Sequence, residues 1–144
     1  MSEIRKQLQN AIGTTIQNEY LLFTSWLGCT LLTVEEGEIR AEFVVRPEMC
    51  NPSGLLHGGI HAAIMDDMVG MTVAAHGLKH LFVSINLSVD FLASAKAGET
   101  VIAHSKLIRV GKTIINAEAT IHNKEGKLLS KATTNLANTG IVVG

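Results

Sequence analysis

The fold is decided by residues 58–77, GGIHAAIMDDMVGMTVAAHG, a stretch of small and apolar residues without proline. Apolar residues recur along it at the three- and four-residue spacing of one helical face, at Ile60, Ile64, Met68, Met71 and Ala75. The other face is also rich in Ala, Met and Val, and a helix that is apolar all round is typically buried. The sequence therefore predicts a long helix from Gly58 to about Gly77 that lies inside the core.

Strand patterns lie on both sides of this helix in the sequence. Two strands are predicted before it, at Leu27 to Val34 and Glu38 to Arg46, around a turn at residues 35–37. Four are predicted after it, at Leu81 to Phe91, Thr100 to Val110, Thr113 to His122 and Lys127 to Ala137. Short turns between consecutive strands favour an antiparallel meander. Since a flat sheet would leave half of the helix in water, we predict an α+β fold whose antiparallel sheet wraps around the central helix.

Length and composition limit the classes of protein that need to be considered. The 144 residues suffice for one core and are too few for two, so we expect a single domain with residues 1–20 as an N-terminal helical extension. A helix is predicted there from Glu3 to about Gln17. A net charge of −1 without a basic run argues against nucleic-acid binding. The uncharged stretch Tyr20 to Val34 is too short to span a bilayer, so we expect no membrane insertion, a cytoplasmic location and reduced thiols at Cys29 and Cys50.

Two adjacent acids, Asp66 and Asp67, interrupt the predicted buried helix, and no lysine or arginine lies on that helix to pair with them. Successive helical residues point about 100° apart, so at most one of the two can share a given face. Because burying an unpaired carboxylate is costly, we assign a functional role to Asp66 and a structural one to Asp67. The alternative is that one or both project to solvent or into a dimer interface.

A second candidate element is His57-Gly58-Gly59, where the predicted loop becomes helix. Two glycines expose backbone N–H groups at the positive end of a helix, which suits a carbonyl oxygen that turns anionic. The alternative is a tight entry into the helix that needs glycine for its backbone freedom alone.

The spacing of these two elements predicts a shared site. Gly58 and Asp66 are eight residues apart on one helix, or about 12 Å at 1.5 Å rise per residue. A reacting carbonyl needs its oxyanion donor and its nucleophile or base within roughly 3 Å. One subunit cannot supply both to the same substrate, so their joint action requires a two-fold dimer with two composite sites.

The remaining polar candidates are histidines and a basic turn. The pairs His57/His61 and His76/His80 have the four-residue spacing of metal ligands, but neither has a recognisable third ligand, and we predict no metal. Basic side chains flank Gly111 in a predicted hairpin turn, at Arg109 and Lys112. They could bind phosphates or could simply be solvated.

The run of residues 51–59, NPSGLLHGG, followed by Asp66, resembles the hotdog-fold thioesterases of the phenylacetate-degradation (PaaI-like) type. The similarity extends from about Phe23 to Leu136 and includes FTSWLG at 23–28, VSI at 83–85 and GKT at 111–113. The resemblance implies an antiparallel sheet around a central helix, dimers with joined sheets and often tetramers. It also implies hydrolysis of an acyl-CoA thioester without metal or dissociable cofactor, coenzyme A being part of the substrate.

The resemblance also implies a role for each matching residue. Asp66 would be the nucleophile or the general base that activates water, and Ser84 would help to place that water. The Gly58 N–H would polarise the thioester carbonyl, with His57 and Asn51 holding the loop and the thioester. Contacts to coenzyme A are implied for four further residues: Gly59, Arg109, Gly111 and Lys112.

Two other functions remain open at this point. A hotdog-fold hydratase or dehydratase would use a histidine and a carboxylate on a β-hydroxyacyl substrate, and His57 keeps that possible. A non-catalytic acyl-CoA-binding protein could keep the pocket while lacking an acid at position 66, and the presence of Asp66 argues against it. The sequence leaves open the acyl group, the choice between dimer and tetramer, and whether Asp66 attacks directly or through water.

Overall fold

The computed structural model describes residues 2–144, which form three α-helices and six strands. The helices are α1 (Glu3–Asn10), α2 (Leu22–Leu27) and α3 (Gly58–His76), and a 3-10 turn spans Pro47–Met49. The strands are β1 (Thr30–Glu35), β2 (Glu38–Val44), β3 (His80–Phe91), β4 (Thr100–Val110), β5 (Ile114–Asn123) and β6 (Leu128–Val142). The strands make one antiparallel sheet in the order β1-β2-β4-β5-β6-β3.

The sheet wraps around α3, as predicted, and α3 contacts β2, β3, β4, β5 and β6. The inner face of β5 shows why, because alternate apolar residues along it are buried: Ile115, Ala117, Ala119 and Ile121. These small and branched side chains let the strands approach the fully buried Met65 and Met68 of α3. The alternation along β5 matches the sequence prediction, and so does the extent of α3.

One face of α3 departs from the prediction of a helix buried all round. Asp66, Gly70 and Ala74 are spaced four residues apart and are all exposed. The sheet covers the rest of the helix, and this face borders a cavity that the N-terminal residues close from the other side. The inference that Asp66 is buried was therefore wrong for a single copy of the chain.

The N-terminal part of the chain also differs from the prediction. Helix α1 ends at Asn10 instead of near Gln17, and the chain turns at Gly13, whose φ of 86° favours glycine. The buried Ile16 then donates its backbone N–H to Cys29, so it continues the edge of the sheet instead of the helix. The first predicted strand, Leu27 to Val34, starts later than expected, at Thr30, because Leu27 is the last residue of α2 and the left-handed Gly28 ends that helix.

The strand order corrects the predicted meander. Consecutive strands are neighbours within β1-β2 and within β4-β5-β6, but β2 pairs with β4 and β3 does not pair with β4. Helix α3 carries the chain from β2 across the sheet, so β3 lies beside β6 at the far edge. That edge strand exposes Val83 and Ile85. None of the helices within residues 2–144 has the length and hydropathy needed to cross a bilayer.

Candidate active site

Asp66 lies in the middle of α3 and faces the inner side of β3. The Ser84 hydroxyl donates a hydrogen bond of 2.9 Å to Asp66 Oδ1. Both side chains belong to exposed residues and both border the same cavity. The carboxylate is therefore oriented by a hydroxyl group while it stays accessible to a reactant.

The neighbouring Asp67 has a different environment. It is partly buried, and its Oδ2 accepts a hydrogen bond of 2.8 Å from the Thr24 hydroxyl of α2. Burial raises the pKa of Asp67, the Thr24 hydrogen bond lowers it, and the charge of Asp66 raises it. Burial, with a smaller effect of Asp67, also raises the pKa of Cys29 to about 12, so that thiol is not an available nucleophile. The position of Asp67 fits a structural link between α2 and α3.

The start of α3 presents an unused backbone donor. His57 is the N-cap, and its Nδ1 accepts a hydrogen bond of 2.8 Å from the Gly59 N–H. Within residues 2–144, the Gly58 N–H has no hydrogen-bond partner. A Cβ added at Gly58 would lie 3.3 Å from Phe91 Cε1, so the aromatic ring of β3 packs against this backbone. The arrangement leaves one N–H group at the positive end of the helix free for an acceptor.

The loop before α3 is ordered by Asn51. Its Oδ1 accepts hydrogen bonds from the backbone N–H groups of Ser53, at 3.0 Å, and Leu55, at 3.1 Å. This turn uses the carbonyl of the amide and leaves its NH2 group without a partner inside the loop.

Two cavities divide these candidates between them. The first, which we call the acid cavity, encloses about 870 Å³ and is bordered by Asp66, Asp67 and Ser84. The second, the glycine cavity, encloses about 350 Å³ and is bordered by Asn51 and Gly58. The two linings have no residue in common. A single copy of the chain therefore keeps the two predicted halves of the site apart.

Among the predicted coenzyme A contacts, the residues of the basic turn border neither cavity. Arg109 and Lys112 are exposed, and the Asn138 side chain donates a hydrogen bond of 3.0 Å to the Lys112 carbonyl. A Cβ at Gly111 would approach the Ile114 carbonyl oxygen to 2.7 Å, so this hairpin tip requires glycine. None of these basic-turn residues borders either cavity within residues 2–144.

Sequence reasoning missed a buried polar pair, His61 and Ser130, of which His61 borders the glycine cavity. His61 is only 3 % exposed, and its Nδ1 lies 2.7 Å from the Ser130 hydroxyl. Its ring meets the Phe91 ring edge-on with the centroids 5.7 Å apart, and burial lowers its pKa. The two partners are far apart in sequence, so no local pattern could indicate the pair. Among residues 2–144 no group of three or more potential ligands could hold a metal ion.

Comparison with known families identifies the class of protein. The profile of the thioesterase superfamily matches residues 53–130, more than half of the chain. The chain belongs to the thioesterase superfamily, which confirms the predicted family and the predicted class of enzyme, a thioester hydrolase. The matched segment includes the start of α3, both acids and Ser84.

Individual relatives are consistent with this assignment. The chain is 29 % identical to human acyl-coenzyme A thioesterase 13 over 103 residues, which are 71 % of this chain and 74 % of that protein. A putative esterase of Archaeoglobus fulgidus is 27 % identical over 106 residues, 74 % of this chain and 68 % of that protein.

Solved structures establish the fold. The PaaI protein from the phenylacetic acid degradation operon of E. coli superposes with a TM-score of 0.83 at 20 % identity, covering 99 % of both chains. A Streptococcus mutans protein bound to acetyl-CoA superposes with a TM-score of 0.72 at 22 % identity, covering 81 % of this chain and 89 % of that chain. The hotdog fold is thereby confirmed.

The contrast between the two acids gives a testable pH dependence. Asp67→Asn keeps an oxygen acceptor for Thr24 and removes the carboxyl whose pKa is raised by burial. A raised carboxyl pKa stabilises the folded state at low pH, and this contribution is lost as the pH rises through the folded pKa. The variant should therefore gain more stability over wild type at about pH 7 than at about pH 4, measured as a larger increase in the free energy of unfolding. Urea unfolding at the two pH values measures the difference, and an equal difference at both would contradict the assignment.

Proposed function

We propose that the protein is an acyl-CoA thioesterase that acts as a homodimer with two composite sites. The observation that carries this proposal is the separation of two complementary half-sites. The Asp66–Ser84 pair borders one cavity, whereas the free Gly58 N–H borders the other. Each half lacks what the other offers, a nucleophile or base on one side and an oxyanion donor on the other.

The chemistry suits a carboxylate of ordinary basicity. A thioester is an activated acyl donor, and its thiolate leaves readily without the protonation that an amine requires. Asp66 would attack the carbonyl carbon or remove a proton from the attacking water, and Ser84 would hold Asp66 and that water in position. Negative charge that develops on the carbonyl oxygen would be stabilised by the Gly58 N–H at the positive end of α3.

The sheet edge supports a particular way of joining two copies. Strand β3 runs antiparallel to α3, because Ser84 contacts Asp66 near one end and Phe91 packs on Gly58 near the other. A two-fold axis near Ser88, in the C-terminal half of β3, would bring Ser84 of one copy close to Phe91 of the second copy. Asp66 of one copy would then approach Gly58 of the other.

The exposure of β3 fits the same arrangement. The strand is twelve residues long and pairs only with β6 among residues 2–144. Its exposed side chains include Val83, 45 %, and Ile85, 57 %. A long unpaired edge with apolar side chains is a template for another strand, and a second copy supplies one. We therefore propose a dimer as the minimal active unit, with a tetramer as a possible association of two dimers.

Coenzyme A is the proposed leaving group. Human acyl-coenzyme A thioesterase 13 bears that activity in its name, and the structural neighbour from Streptococcus mutans is bound to acetyl-CoA. The exposed basic side chains of Arg109 and Lys112 would contact the phosphates of coenzyme A, with Gly111 permitting the tight turn between them and Gly59 near the thioester. No further cofactor is proposed.

The contacts of His57 argue against the hydratase alternative. Its Nδ1 accepts the Gly59 N–H as a helix cap, so in the neutral ring the proton sits on Nε2, which cannot then act as the base that a hydratase needs. The hydrogen bond between Ser84 and Asp66 likewise fits a reacting carboxylate better than a passive binding surface.

Asp66→Asn should reduce the release of coenzyme A from an acyl-CoA by about 1,000-fold, because an amide is neither a nucleophile nor a base at neutral pH. Asp67→Asn is the matched control, because it makes the same chemical change one residue further along. Its rate of coenzyme A release should fall far less than that of Asp66→Asn. A thiol-detecting assay on both purified variants makes the comparison. Turnover near the wild-type rate in Asp66→Asn would remove Asp66 from the reaction.

Gly58→Pro tests the backbone donor on its own. Gly58 is the first helical residue and His57 before it is extended, at φ −62° and ψ 137°, so proline fits the backbone there. Proline removes the N–H group. Gly58→Ala keeps the N–H group and adds a Cβ against Phe91, as proline also does. We expect the proline variant to turn over about 100-fold more slowly than the alanine variant. Equal rates would show that the Gly58 N–H has no role in the reaction.

A further inference from the structure

The acid cavity extends well beyond the two acids. Along α3 it runs from Asp66 past Gly70 to Ala74, a rise of about 12 Å. Its opposite wall comes from the N-terminal part of the chain, where apolar side chains border it: Ile4, Leu8, Ala11, Ile16 and Leu21. A cavity of about 870 Å³ is near the upper end of the range for small-molecule sites.

The N-terminal wall is fixed to the rest of the fold at several points. At its start, the Ser2 hydroxyl donates a hydrogen bond of 2.7 Å to the Ala75 carbonyl at the end of α3. Further along, the Gln9 side chain donates to the Val34 carbonyl at 2.9 Å, and Gly13 donates its N–H to the Leu31 carbonyl at 2.9 Å. The link from Thr24 to Asp67 holds its far end. The cavity is therefore formed before any ligand arrives, which suits a binding site.

Charge decides which end of a thioester could occupy this space. Asp66 and Asp67 are the charged side chains in the lining, and both are acidic. They repel the phosphates of coenzyme A, whereas an apolar chain fits against the aliphatic side chains that stand beside uncharged polar ones in the wall beyond them. The part of the substrate in the acid cavity is therefore the acyl group.

We propose that the N-terminal segment, residues 4–21, sets the acyl specificity, and that the acid cavity accepts an extended apolar acyl group. This inference rests on the proposed function, because Asp66 and Ser84 at one end define where the thioester carbon lies. An extended chain advances roughly 1.3 Å per methylene, the projection of a 1.52 Å C–C bond. The path of about 12 Å along α3 therefore holds about nine methylenes.

The first test is a series of straight-chain acyl-CoA substrates with the wild-type protein. Each buried methylene should raise kcat/KM about fourfold up to a chain of about ten carbons, after which the gain should stop. Phenylacetyl-CoA, which is compact, should be a poorer substrate than decanoyl-CoA. A preference for acetyl or phenylacetyl groups over decanoyl would overturn the proposal, while hydrolysis of any acyl-CoA would leave the proposed function intact.

The second test replaces Leu8, in the N-terminal wall of the cavity, by a larger and by a smaller side chain. Leu8→Trp extends the side chain by roughly 3 Å and should move the preferred chain about two methylenes shorter. Leu8→Ala should make the preferred chain longer, because it opens space in the N-terminal wall of the cavity. The matched controls Ile12→Trp and Ile12→Ala alter an exposed residue of the same segment outside the cavity lining and should leave the chain-length profile unchanged.

Butyryl-CoA separates loss of specificity from loss of function. Its acyl chain spans only about a third of the path along α3, so its hydrolysis reports whether the catalytic residues of a Leu8 variant are intact. If Leu8→Trp fails to fold and loses butyryl-CoA activity as well, Leu8→Ala decides the question alone. Chain-length profiles that stay the same in a folded Leu8 variant would overturn the role of the N-terminal segment.

Discussion

The structure depends on one constraint, namely that a single rigid helix carries both Gly58 and Asp66 about 12 Å apart. Side-chain motion cannot close this distance, because the donor at Gly58 is a backbone group at the end of α3. The sheet wraps five strands against the helix and fixes it further. The separate acid and glycine cavities follow directly from this geometry. In the proposed mechanism, association of two copies takes the place that loop closure takes in many monomeric enzymes.

The same helix gives two adjacent acids different roles. Asp66 follows the exposed face towards β3, where the Ser84 hydroxyl orients it without burying it. Asp67, one residue later, turns towards α2, where burial raises its pKa and Thr24 holds it. Asp66, the proposed reacting group, thus keeps the accessibility that a reaction needs, and its neighbour connects the N-terminal wall of the acid cavity to the core. Helical geometry separates the two environments.

Much of the fold could be predicted because its signals are local. The apolar surface of α3 and the alternation along β5 both follow directly from periodicity. The sequence predicts an N-terminal helix that is too long, because Ile12 and Ile16 continue its four-residue spacing. In the structure the Ile16 N–H binds the Cys29 carbonyl instead of a carbonyl within the helix, and α1 ends at Asn10. Long-range contacts such as Thr24 with Asp67 leave no sequence pattern. The apolar surroundings of Asp66 in the sequence predict burial, which is wrong for a single copy, whereas its spacing from Gly58 agrees with the two residues bordering separate cavities.

The shared site is tested most directly by a hybrid dimer. One copy carries Asp66→Asn and the other Gly58→Pro, each with its own affinity tag, and tandem purification isolates the hybrid. If each site combines Asp66 of one copy with Gly58 of the other, one of the two sites in the hybrid is intact and the other carries both changes. Coenzyme A release is therefore expected to recover to about half the wild-type rate, although each parent is slower than wild type by about 100-fold or more. A purified hybrid that stays as inactive as its parents would contradict the shared site.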